Sequence, residues 1–276
     1  ADGGLGLDVA GDHATKQAML GSLGRLATTP LDTLRGKHLE AEDFNTLMIG
    51  DPVRELLNWM SNPDAAHDSW DQEKWDARYA SQDAAEAFQP SELLVRAVDR
   101  LAGPGGEVQG LAALDLACGG GRNSIYLAER GFQVDAVDVS AQGLVLGRQR
   151  ESLRSNLGDG SGAPRPVAIR WIHADLDAGA PVSGPYDVIV LIRYLDLALL
   201  AEAVRMLRPG GLLVAELHMD PGDEEVAGPR NPAFLVGRGA LAEAARGLTP
   251  MLHTEGIVEM GGGRREALAR FVGSAP

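Results

Sequence analysis

From about Trp70 onward the apolar positions of this chain alternate between two rhythms. Short unbroken apolar runs occupy Ala112–Leu116, Gln133–Val137, Val167–Ile172, Asp187–Ile192 and Leu212–Leu217. Between them, Arg122–Arg130, Ala141–Leu157 and Leu195–Leu207 carry apolar residues at helical spacing. Unbroken runs suit strands buried on both faces, and strand–helix–strand units at this spacing predict a parallel sheet covered by helices. Ser91 stands where it can cap a further helix with Leu93, Leu94, Ala97, Val98 and Leu101 on one face, ended by Gly103-Pro104-Gly105-Gly106. Arg208-Pro209-Gly210-Gly211 reads as a helix stop and a sharp turn before the next strand. Met251–Val258 and Glu266–Val272 read as a closing antiparallel pair. The expected fold class is therefore α/β: a Rossmann-like, seven-stranded, mostly parallel sheet with helices on both faces.

Upstream the pattern is weaker. Gln17–Leu26 and Val53–Met60 show a loose helical period, punctuated by Pro30, Pro52 and Pro63. Residues 1–69 are thus expected to be a helical N-terminal extension of unknown role, and residues 70–276 the main domain.

Composition narrows the partners. The 276 residues hold 25 Lys plus Arg against 39 Asp plus Glu, a formal net charge of -14, which repels a phosphate backbone; no nucleic-acid partner is expected. A small-molecule acceptor suits that charge better. The single cysteine, Cys118, allows neither an internal disulfide nor a multi-cysteine zinc site, so no metal is expected and a reducing, cytoplasmic location fits. No apolar run is long enough to span a bilayer, and the glycine-rich start lacks the charged and apolar regions of a signal peptide, so no membrane partner is expected. Nothing in the sequence sets the oligomeric state.

The first strand runs into Ala117-Cys118-Gly119-Gly120-Gly121 and then a helix. Glycines at such a turn let the backbone come within contact distance of a ligand, because no Cβ stands in the way. The next strand leads to Asp138, 23 residues after Asp115, where an acid accepts hydrogen bonds from both hydroxyls of a ribose. Pyrophosphate cofactors want Gly-x-Gly-x-x-Gly with the helix N-terminus on the phosphates. This loop lacks that spacing, and Asp115 ahead of it opposes a pyrophosphate while suiting an ammonium. The physical reading therefore favours S-adenosylmethionine.

Four segments in order carry a family resemblance: Leu114 to Ser124, Gly131 to Ser140, His173-Ala174-Asp175-Leu176, and Leu207 to Gly211. They resemble the motifs of class I S-adenosylmethionine-dependent methyltransferases, over roughly residues 70–273. Cys118-Gly119, Arg122-Asn123-Ser124 and Asn231 to Leu235 are most similar to the tellurite-resistance methyltransferases and, more distantly, the thiopurine S-methyltransferases. Trp75-Asp76-Ala77-Arg78-Tyr79 resembles the paired aromatics that cover the cofactor in the thiopurine enzymes, and a spacing of four puts both rings on one helical face. With the residues above, the resemblance implies a cofactor site of Trp75, Tyr79, Asp115, Ala117, Cys118, Gly119, Gly121, Asn123, Asp138, Val139, Asp175, Leu176 and Ile192. Asp175 would take the adenine amine.

Acceptor chemistry is less explicit. Soft acceptors such as thiolate, selenium or tellurium species need little or no base, whereas oxygen and nitrogen acceptors need a positioned one. After the fourth strand the chain has Arg193-Tyr194 rather than the Asn/Asp-Pro-Pro-aromatic tetrapeptide of amino methyltransferases. Arg193, Tyr194 and His218 are the candidate catalytic residues, with His253 a weaker fourth and Asp196 an alternative ion-pair partner for Arg193. Asp220–Arg230 reads as a lid loop. A soft small-molecule acceptor is expected, the alternatives being an oxygen or nitrogen acceptor, or a module that binds the cofactor without turnover.

Overall fold

Five parallel strands and one long hairpin make a single sheet of order β3-β2-β1-β4-β5-β7-β6. The computed structural model describes residues 63–85, 88–102, 106, 108–157, 169–222 and 224–276. The stretches Gln17–Leu26 and Val53–Met60, the glycines 103 and 105 and the start of the expected third strand at Val167 lie outside the described residues.

The parallel strands are β1 (Ala112–Leu116), β2 (Gln133–Asp138), β3 (Ile169–His173), β4 (Tyr186–Ile192) and β5 (Leu207–His218). β6 (Thr249–Glu259) and β7 (Arg265–Ser274) add the antiparallel edge, β7 lying against β5. The helices are α1 (Pro63–Ala80), α2 (Glu92–Ala102), α3 (Arg122–Glu129), α4 (Ala141–Leu157), α5 (Leu197–Arg205) and the short α6 (Ala240–Ala244). Two apolar clusters sandwich the sheet. Leu93, Leu94 and Val98 of α2 pack with Leu127 and Leu144 on one face. Leu199 and Leu200 of α5 and Leu241 of α6 pack on the other. The expected seven-stranded, mostly parallel α/β sheet is what the chain forms.

Three local differences have physical causes. The turn expected at Arg208–Gly211 lies inside β5: pairing jumps from Tyr186 with Leu207 to Val188 with Leu212, and Gly210 takes a φ of 77°. α5 is shorter than the apolar pattern because Asp196 caps it, its side chain accepting from Leu199 N–H at 2.9 Å. α1 runs continuously through the expected boundary at residue 70. Among the described residues no helix is long and apolar enough to cross a membrane.

Asp76 ties α1 to the carboxyl ends of β1 and β2. Asp76 Oδ1 accepts from Ser140 Oγ at 2.5 Å and from Gln142 N–H at 2.9 Å, while Ser140 Oγ accepts from Gly143 N–H at 2.9 Å. The carboxylate thereby satisfies an otherwise orphaned donor in the first turn of α4 and complements that helix's positive end. Asp76→Ala is expected to destabilise the protein by about 1–2 kcal/mol, as for loss of a cap. It should also raise hydrogen exchange of α1 more than that of α4. Unchanged exchange in α1 would show that its other packing suffices.

Candidate functional site

The loop after β1 depends on left-handed backbone. Ala117, Gly119 and Gly121 have φ of 55°, 56° and 77°. At Gly119 the reason is steric as well, since a Cβ there would collide with the hydroxyl of Tyr79. The loop is pinned by Asp138, whose Oδ2 accepts from Gly119 N–H at 2.7 Å and whose Oδ1 accepts from Ser140 N–H at 2.8 Å. Each carboxylate oxygen has a second lone pair, so Asp138 keeps acceptor capacity toward the cavity that it lines. Burial pushes its carboxyl up, partly offset by the two backbone donors.

Asp115 lies beneath this loop, off the cavity wall. It is 1% exposed, does not line the cavity, and its Oδ2 accepts from Ser124 Oγ at 2.6 Å. Burial raises it to about 7. Asn123 is also anchored, its Oδ1 accepting from Ser91 N–H at 2.9 Å, which joins the start of α2 to the loop. Cys118 is buried, its Sγ lies 3.8 Å from the carbonyl oxygen of Gly119, and burial raises its thiol well above the ordinary range. It is a small packed group. Gly119 and Gly121 shape the cavity from behind without lining it. Trp171 packs where a Cβ on Gly121 would stand.

A cavity of about 1040 Å³ opens along the carboxyl ends of the strands. Trp75, Tyr79, Ala117, Cys118, Asn123, Asp138, Val139, Asp175, Leu176, Ile192, Arg193, Tyr194 and His218 all line it, so the structure brings together most of the candidate residues. Trp75 and Tyr79 stack with centroids 6.2 Å apart, as their spacing on one face of α1 requires. Asp175 caps a 3₁₀ turn at Leu176–Ala178, with Oδ1 accepting from Asp177 N–H at 2.9 Å, and Leu176 is buried beside it. Tyr194 donates to Asp177 Oδ1 at 2.9 Å, and burial raises its phenol strongly.

The opposite end is a buried charge network. Arg193, with a φ of 67°, directs Nε and Nη2 to Glu216 Oε1 at 3.1 Å and Nη1 to Glu266. Glu216 and Glu266 are 2% and 1% exposed. Arg270 Nε donates to Glu216 Oε2 at 2.7 Å, and Arg264 pairs with Glu266. Arg193 Nη1 is 2.8 Å from His218 Nε2, and burial together with that guanidinium lowers His218 to about 4. The alternative partner Asp196 takes no part, because it caps α5. His253 does not line the cavity and lies 3.3 Å from Glu255 on β6. Gly228 and Pro229 of the expected lid loop do line it, and Glu224 of that loop pairs with Arg265 at 2.9 Å.

Lys74, Arg78, Arg122 and Glu266 also line the cavity and were not among the candidate residues. Arg122 carried a signal: a cation at a helix N-terminus opposes the macrodipole and calls for a reason. It is half-buried, donates to Gln89 O at 3.3 Å, and burial and Arg193 lower it. Glu266 carried none, since only β7 pairing brings it across the sheet. Arg193→Ala, which leaves both glutamates short of a cation, is expected to cost about 3 kcal/mol in chemical denaturation. Arg193→Lys should recover only part, because an ammonium does not span two carboxylates. A loss below ~1 kcal/mol would equate the network with a surface pair.

Comparison with known proteins fits this geometry. Residues 113–211 match the methyltransferase domain family. Trans-aconitate 2-methyltransferase of Azoarcus sp. (strain BH72) is 32% identical over 109 residues, 38% of this chain and 38% of that protein. Ribosomal RNA small subunit methyltransferase C of Alcanivorax borkumensis is 33% identical over 135 residues, 45% of this chain and 36% of that protein. The chain thus spans about two fifths of the length of the curated relatives it matches. The crystal structure of TehB from Haemophilus influenzae superposes with a TM-score of 0.53 at 17% identity, covering 73% of this chain and 67% of that one. At that identity the likeness is one of fold. Matched domain, strand order and glycine loop agree: residues 113–211 resemble a methyltransferase domain, and the described residues share the fold of TehB.

Proposed function

We propose that this chain transfers a methyl group from S-adenosylmethionine to a soft small-molecule acceptor, such as a thiol. The observation that carries the acceptor half is the state of the titratable groups at the Arg193 end of the cavity. His218 is held neutral above about pH 4 with Arg193 against its ring. Glu266 is committed to Arg193 and Arg264, and the Tyr194 hydroxyl donates to Asp177. Among the described residues none of these three side chains stands free to take a proton, which supports an acceptor that arrives ionised or is nucleophilic without deprotonation.

Under this reading Asp138 takes the ribose hydroxyls, Asp175 and Leu176 the adenine and Arg122 the methionyl carboxylate, while the Trp75 and Tyr79 rings cover the nucleoside; that all of them line one cavity supports it. When bound, S-adenosylmethionine supplies a sulfonium whose methyl group is already activated. What the chain adds is position: holding the acceptor sulfur in line lets its lone pair form the new carbon–sulfur bond as the sulfonium bond breaks. The thiol proton leaves to solvent before attack. The net charge of -14 favours a small acceptor over a polynucleotide, although one matched relative is a ribosomal RNA methyltransferase.

Asp138→Ala is expected to weaken S-adenosylhomocysteine binding by about 1–3 kcal/mol in calorimetry, the loss of charge-assisted hydrogen bonds. Unchanged affinity removes the ribose assignment. For the acceptor, kcat/KM should rise with pH up to the pKa of the thiol itself and move with it across a series of thiols. An inflection that stays at one pH for every acceptor would reveal an enzyme base and overturn the base-free reading.

A further inference from the structure

Two cavity cations of α1 remain without a role. Lys74 and Arg78 stand one turn apart on α1 and both line the cavity. Like charges at that spacing oppose the helix that carries them. In a chain with 39 acidic and 25 basic residues, neither has a carboxylate partner among the described residues. They flank an aromatic surface instead. Lys74 Nζ is 5.2 Å from the Trp75 centroid and 4.9 Å from that of Phe234, and Arg78 Cζ is 5.1 Å from the Trp75 centroid. Asp76, the acid between them, faces away into the α4 cap.

The cavity also has room to spare. Its volume of about 1040 Å³ reaches the top of the roughly 300–1,000 Å³ usual for a single bound small molecule. Phe234, Met260 and Leu195 give the remaining space an apolar wall. An inorganic ion would use neither that volume nor that wall.

We propose that Lys74 and Arg78 recognise a carboxylate on an organic acceptor whose apolar body lies against Trp75 and Phe234. The proposal rests on the methyl-transfer reading above and concerns the end of the acceptor remote from the reacting atom. A single negative charge matches two exposed cations in an otherwise acidic protein, where a multiply charged phosphate would meet a repelling field.

The test compares methylthio-substituted aryl and alkyl carboxylates with their primary amides, titrated by calorimetry into protein saturated with S-adenosylhomocysteine. The carboxylate of at least one pair should bind tenfold or more tightly than its amide, with the preference falling as salt rises. In the Lys74→Gln, Arg78→Gln double variant the preference should drop below twofold while amide affinity holds and the melting temperature does not fall. Equal affinity for acid and amide in every pair, or a preference that survives in the double variant, overturns the proposal. Turnover of the matching free thiols, with the methylated atom identified by mass spectrometry, separates the two readings. No product beside an intact carboxylate preference would sink the soft-acceptor reading and still support the anion site, whereas a methyl ester would put the carboxylate at the reacting atom and overturn both.

Discussion

Two adjacent strand ends share one buried carboxylate, and the rest of the site hangs on it. Asp138 closes β2 and ties down Gly119 and Ser140 together. The first bond shapes the glycine turn after β1, and the second sets the start of α4. Because Ser140 also meets Asp76 of α1, the same point locates the helix that roofs the cavity. A carboxylate so placed loses solvation, and backbone donors replace it at fixed positions. Oxygen lone pairs left over then face a cavity whose geometry they themselves established.

Both signs of charge share the cavity wall: Asp138, Asp175, Asp177 and Glu266 line it with Lys74, Arg78, Arg122, Arg150, Arg193 and Arg264. Arg193 rests on two glutamates almost wholly removed from water. Burying such charges costs several kcal/mol per ion unless each is paired in good geometry. Here each glutamate meets two arginines, which also explains how Arg193 is kept in a left-handed backbone conformation that an ordinary side chain disfavours. His218 pays for this neighbourhood with its basicity.

Much of this was legible along the chain. Unbroken apolar runs specify β1, β4 and the buried length of β5, because a strand buried on both faces tolerates no polar alternation, while β2 and β3, which leave positions exposed, follow from their place in the strand–helix alternation. The glycine turn, Asp138 and the paired aromatics were legible too, since each acts through contacts set by its own strand–turn–helix unit or helical face. Local chemistry was enough even for Asp196, a residue of a type that caps helices, although charge alone suggested it as a partner for Arg193.

Contacts made across the sheet were not legible. Arg193, Glu216, Glu266 and Arg270 are joined only when β7 turns back antiparallel beside β5, so that Glu216 stands opposite Arg270. Asp115 read as a ligand contact because it ends a strand beside a glycine turn, yet the side-chain alternation of β1 and the position of Ser124 on α3 turned it inward. Lys74 and Arg78 line the cavity only through the placement of α1. Periodicity reports which face of an element is buried. Which charge meets which depends on strand order and register, and those follow from packing the whole sheet.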